Sequence, residues 1–131
     1  MTDIDAPYHA HIYFDAEERA AAEALRATLL DLRAPGSAPQ ILFVGQPTEG
    51  AAGPHPIPQY EIHFLKRDLA AVTSAIEDST LRALVHPLTD DDLADHTRLA
   101  HWIGDPIELD VTVLDPPGQN QGIPRFGKAD F

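Results

Sequence analysis

Cysteine is absent from this chain. That rules out a disulfide framework, a thiolate zinc site and an iron–sulfur cluster, and it fits a cytoplasmic protein. Basic residues are scarce, with 9 Lys and Arg against 21 Asp and Glu and a net charge of -12. A field of that sign repels phosphate backbones and anionic lipid, so no nucleic acid and no membrane is expected as a partner. Its ordinary role is solubility, with a mild attraction for an ammonium-bearing substrate as a minor consequence. Long hydrophobic runs are missing too. No stretch approaches the roughly 20 apolar residues of a membrane span. Residues 1–7 are acidic without an apolar core, so no signal peptide is expected.

What is present suits one globular domain. The length of 131 residues and the 44% hydrophobic content bring a real core within reach. Residues 9–14 alternate, with Ala10, Ile12 and Phe14 on one side and His9, His11 and Tyr13 on the other, which predicts a strand. Asp15 with Glu18 reads as a capping box. Ala22, Leu25, Leu29 and Leu32 form the stripe of a helix ending near Arg33. Residues 41–44, 60–64 and 81–86 read as three more strands, and residues 67–77 as a second helix carrying Leu69, Val72 and Ile76. Between the second and third strands, residues 45–58 are a Gly/Pro-rich loop long enough to be functional. Thr89 with Asp92 predicts the start of a third helix through Leu93, His96 or Thr97, Ala100 and Ile103, stopped by Gly104. Residues 106–114 alternate like a fifth, edge strand.

The order βαββαβ is the ferredoxin-like split βαβ arrangement, an α+β fold with an antiparallel sheet and both helices on one face. Here it gains an extra helix, a fifth strand and a C-terminal tail. Residues 1–115 form the domain and 116–131 the tail. With strand order 4-1-3-2, Ala10, Ile12, Phe14, Tyr60, Ile62, Phe64, Ala83 and Val85 face the helices. His9, His11, Glu61, His63, Leu84 and His86 face the other way.

That second face carries the chemistry. The start of the first strand neighbours the ends of the third and fourth, and adjacent strands lie about 4.8 Å apart. His9, His11, His63 and His86 can therefore converge on one ion. Each has a plainer alternative: a solvated strand face for His9 and His11, a strand end for His86, an ion pair with Glu61 for His63. His55 can be a turn residue, His96 a packed core histidine, and His101 reads as surface. Sulfur-free ligation suits Zn, Fe(II), Mn, Ni or Cu. Glu61 is the carboxylate on the proposed face, and Asp92 or Asp95 can approach from the third helix.

His9-Ala10-His11-Ile12-Tyr13-Phe14, Gly53-Pro54-His55-Pro56, Val85-His86-Pro87-Leu88-Thr89, Asp95-His96 and Trp102-Ile103-Gly104 occur in an order that resembles the DOPA 4,5-dioxygenase family. The resemblance implies the same ferredoxin-like fold, Fe(II), and extradiol cleavage of a catechol such as DOPA by O2 to a semialdehyde that can cyclise. It matches recurring histidines to His9, His11, His55, His86 and His96, with His63 beside them. Under that expectation His9, His11 and His86 ligate the metal, and His55 and His96, outside the strands, transfer protons. His63 and Glu61 support the ligands or replace one. The competing expectation is a non-enzymatic ferredoxin-like module binding a small ligand or a metal, with zinc possible in place of iron. A homodimer is expected as well, because an open sheet face carrying the site needs cover, with residues 116–131 crossing over.

Overall fold

The computed structural model describes residues 3–89 and 91–114. The C-terminal tail from residue 116 lies outside them. Strand β1 (Pro7–Tyr13) passes through a turn of 3-10 helix (Ala16–Glu18) into α1 (Arg19–Asp31). The expected reciprocal cap forms: the Glu18 backbone N–H donates to the Asp15 carboxylate at 3.0 Å, and the Asp15 N–H to Glu18 at 3.2 Å. Then follow β2 (Phe43–Val44), β3 (Gln59–Leu65), α2 (Leu69–Ser79), β4 (Arg82–Pro87), α3 (Asp92–Asp95) and β5 (His101–Ile103).

The five strands form one antiparallel sheet in the order β2-β3-β1-β4-β5. The ferredoxin-like order is therefore observed, with β5 added beside β4. Strand periodicity divides the side chains as expected. Ala10, Ile12, Phe14, Tyr60, Ile62, Phe64, Ala83 and Val85 join Ala22, Leu25 and Leu29 of α1 and Val72 and Ile76 of α2 in one apolar core. No helix among the described residues is long and apolar enough to cross a membrane.

Two expectations fail beyond β4. The third helix, expected to run to Ile103, ends at Asp95. Its cap is Asp91, whose carboxylate accepts from the Ala94 N–H at 2.9 Å, rather than Thr89. The open edge of β4 needs a partner, and His101-Trp102-Ile103 supplies it by pairing with Ala83, Leu84 and Val85. Tertiary pairing overrides the helical spacing there. Gly104, at φ +76, turns the chain after β5 instead of closing a helix. The expected strand over residues 106–114 does not form either, because that edge is already taken. The Asp110 carboxylate instead binds the backbone N–H and hydroxyl of Thr112, favouring a local 3-10 turn (Val111–Val113) that leaves Val111 and Val113 exposed. The Asp110 N–H ties this segment to the Pro54 carbonyl at 2.9 Å, beside His55.

The sheet face away from α1 and α2 is not open. His9, His11, His63 and His86 are fully buried within the single chain. Shielding that face therefore does not require a second copy, which removes the reason for expecting a homodimer.

Candidate metal centre

The period of two in β1 sends His9, His11 and Tyr13 to the polar face. The register places His9 between His63 and His86, and His11 between Glu61 and Leu84. Three neighbouring strands thus present His63, His9 and His86 as a row. The loop before β3 brings His55 over this row, with its ring 4.1 Å from that of His11, centroid to centroid. The turn after α3 brings His96 to 4.3 Å from His86. Asp95 holds that turn, its carboxylate accepting from the Thr89 N–H at 3.0 Å and hydroxyl at 2.6 Å. His101 is exposed on β5, as expected.

These six histidines and Glu61 form three overlapping groups with potential ligand atoms within 4.8 Å of one another: His9, His11 and His86; His11, His55 and His96; His9, Glu61 and His63. The third is centred on the Glu61 carboxylate, which bonds His63 Nε2 and lies 3.5 Å from His9 Nδ1. The rings of His9 and His63 stack in parallel at 3.7 Å, and Phe43 packs on His63.

Protonation decides what the middle of this array can do. His11 Nδ1 donates to Gln59 Oε1 at 3.0 Å, and His86 Nδ1 donates to the Pro87 carbonyl at 2.8 Å. With both Nδ1 protons committed, each neutral ring keeps a lone pair on Nε2, and the two Nε2 atoms face each other at 3.1 Å. A proton shared between them is disfavoured. Burial, and then the proximity of His55, His86, His96 and His9, holds His11 well below the usual imidazole range. Two facing lone pairs are the arrangement a cation requires. Two nitrogens at about 2.1 Å from one ion in tetrahedral or octahedral geometry lie about 3.0–3.4 Å apart, so the donor set fits a transition metal. The carbonyls behind His11 and His86 fix the tautomers as outer partners of metal ligands do.

Burial also keeps the flanking rings neutral. It pushes His55 down to about 3, with His96 adding to the effect, and His63 to about 3. Tyr13, overlooked when the sequence is read for histidines, contributes its hydroxyl at 2.6 Å from His55 Nδ1, and burial raises the phenol's pKa. Its shared parity with His9 and His11 was the available signal. Gln59, the partner of His11, was missed because residue 59 precedes the expected strand.

The chain matches the Dopa 4,5-dioxygenase family over residues 8–113. It belongs to that family. The matched span contains all six clustered histidines. Within the family's reach is DOPA 4,5-dioxygenase from Amanita muscaria, 37% identical over 116 residues, which cover 82% of this chain and 49% of the fungal protein. The chain thus spans about half the length of that curated relative. The crystal structure of a candidate dioxygenase from Nostoc punctiforme PCC 73102 is similar, with 29% identity, a TM-score of 0.72, and coverage of 86% of this chain and 95% of that one.

Proposed function

We propose that this member of the Dopa 4,5-dioxygenase family is a metal-dependent extradiol dioxygenase that cleaves a catechol such as DOPA with O2. Family membership supports the dioxygenase chemistry. The observation carrying the metal dependence is the approach of His11 Nε2 and His86 Nε2 to 3.1 Å in a buried site, with Nδ1 of each ring against a carbonyl oxygen. His9, His11 and His86 hold the ion. Fe(II), when bound there, would supply the redox-active Lewis acid that the reaction of a catechol with O2 needs.

The remaining residues orient and move protons. Glu61 accepts from His63 Nε2 and lies beside His9, which sets the orientation of both rings. His55 and His96 flank the ligands and serve proton transfer with the substrate, His96 taking the second catechol proton and His55 assisting later bond cleavage. Burial of His55 and His96 excludes water from that exchange.

Full burial of His9, His11 and His86 also favours a second reading, because closed metal sites are structural ones. In that reading the chain is a non-enzymatic ferredoxin-like metal- or small-ligand-binding module. One experiment separates the two. Protein loaded anaerobically with Fe(II), then given O2 and DOPA, should consume O2 and form a yellow ring-opened product. Stoichiometric iron with no O2 uptake would leave the binding module. Absence of iron uptake would sink both metal readings.

A further inference from the structure

The Tyr13 hydroxyl is used by none of the chemistry above, yet it lies 2.6 Å from His55 Nδ1 with both side chains buried. The direction of that bond follows from the phenol's own proton. If His55 donated to the Tyr13 oxygen, the phenolic hydrogen would need another acceptor at a fully buried site, and among the described residues the hydroxyl's hydrogen-bond partner is His55. The hydroxyl therefore donates and His55 Nδ1 accepts. A neutral imidazole that accepts at Nδ1 carries its hydrogen at Nε2. Trp102, stacked on Tyr13 with centroids 6.1 Å apart and planes 20° from parallel, and the Ala52–His55 bridge, with N–H···O distances of 3.0 and 2.9 Å, hold the two partners in register.

This has a consequence for the histidines grouped around His11. His11 and His86 present lone pairs at Nε2 because carbonyl oxygens hold their Nδ1 hydrogens. His55 has the opposite polarity, because a hydroxyl donor holds its Nδ1. We propose that Tyr13 is a positioning residue that locks His55 in its Nε2–H form, which denies His55 to the metal and makes it a hydrogen-bond donor toward an oxygen of the bound substrate. The donor role rests on the reading of the adjacent histidines as a catalytic metal centre. The tautomer itself does not.

Protein labelled with 15N in its histidine rings tests both parts by long-range 1H–15N correlation, with His55 assigned from its loss in His55→Gln. Metal-free wild-type protein should show His55 protonated at Nε2 and bare at Nδ1. Added Zn(II) should shift Nε2 of His11 and His86 and leave His55 Nε2 protonated. Tyr13→Phe should lose the single tautomer of His55, keep its iron content, and turn over about 10–100-fold more slowly. The proposal is overturned if wild-type His55 carries its proton on Nδ1, if Zn(II) removes the Nε2 proton, or if Tyr13→Phe leaves the tautomer unchanged. The wild-type spectra need no variant, so they decide the tautomer even if Tyr13→Phe fails to fold. The expected tautomer with no zinc-induced shift at any histidine would sustain the Tyr13–His55 assignment and sink the metal reading.

Discussion

The two faces of the sheet are equally buried and chemically opposite. Against α1 and α2 lie Ile12, Ile62 and Phe64, each at 0% exposure, and on the reverse, also at 0%, lie His9, His11, His63 and His86. Burying the first set stabilises the fold by roughly 25 cal/mol for each Å² of apolar surface removed from water. Burying the second set costs free energy unless each ring nitrogen finds a partner. A small domain that seals both faces is stable mainly through the first, and holds the second in place with polar partners such as Gln59, Glu61 and the Pro87 carbonyl. The pairing of a conventional core with a buried imidazole cluster makes the second face the candidate functional one.

The sharpest way to break this comparison is to remove one residue from each face. His11→Ala or His86→Ala should abolish stoichiometric metal uptake and turnover while leaving a folded chain, as read by metal analysis and circular dichroism. Unfolding by either change would mean that the polar face, too, is primarily structural. Phe64→Ala, on the apolar face, should cost about 3–5 kcal/mol in denaturant unfolding, and the fraction that remains folded should still take up metal. Next come His55→Gln and His96→Gln. Each should keep its metal and lose about 10²–10⁴-fold in turnover. Loss of metal in either variant would transfer that histidine to the ligand set.

The smallest and most graded effect is that of pH on the metal-free protein. His55 and His63 bind protons only near pH 3 when folded, against 6.5 for an ordinary imidazole. Between those values the unfolded chain takes up protons that the folded chain refuses, so unfolding becomes easier as pH falls. Stability should therefore hold above pH 6.5 and decline continuously toward pH 3. Saturating metal should oppose that decline, since it binds the folded chain and its charge beside His55 and His63 disfavours their protonation. A flat stability profile between pH 6.5 and 4 would show that these rings are not sealed as described.

Most of the fold was legible because alternation in β1, β3 and β4 is strict. Ala10, Ile12, Tyr60, Ile62 and Phe64 could be assigned to the core, and His9, His11, His63 and His86 to the opposite face, from parity alone. Parity does not reveal what lies above that face, so the expectation of an open surface was wrong. The chain after β4 was misread for a related reason. Leu93, Ala100 and Ile103 have helical spacing, but the vacant edge of β4 recruits residues 101–103, a long-range demand that no local pattern contains. Within the site, the ligand types and their clustering were visible, whereas the directions of the protons were not. Those depend on Gln59, the Pro87 carbonyl and Tyr13, and only the folded geometry puts each beside its histidine.

X-ray absorption of the anaerobic Fe(II) protein tests the central claim most directly, that Nε2 of His11 and of His86 share one ion. One equivalent of iron should show nitrogen and oxygen neighbours near 2.0–2.2 Å and the outer-shell scattering of about three imidazole rings, a spectrum that His86→Ala protein given the same iron should fail to reproduce. A spectrum without imidazole scattering, or one that His86→Ala leaves unchanged, would contradict it.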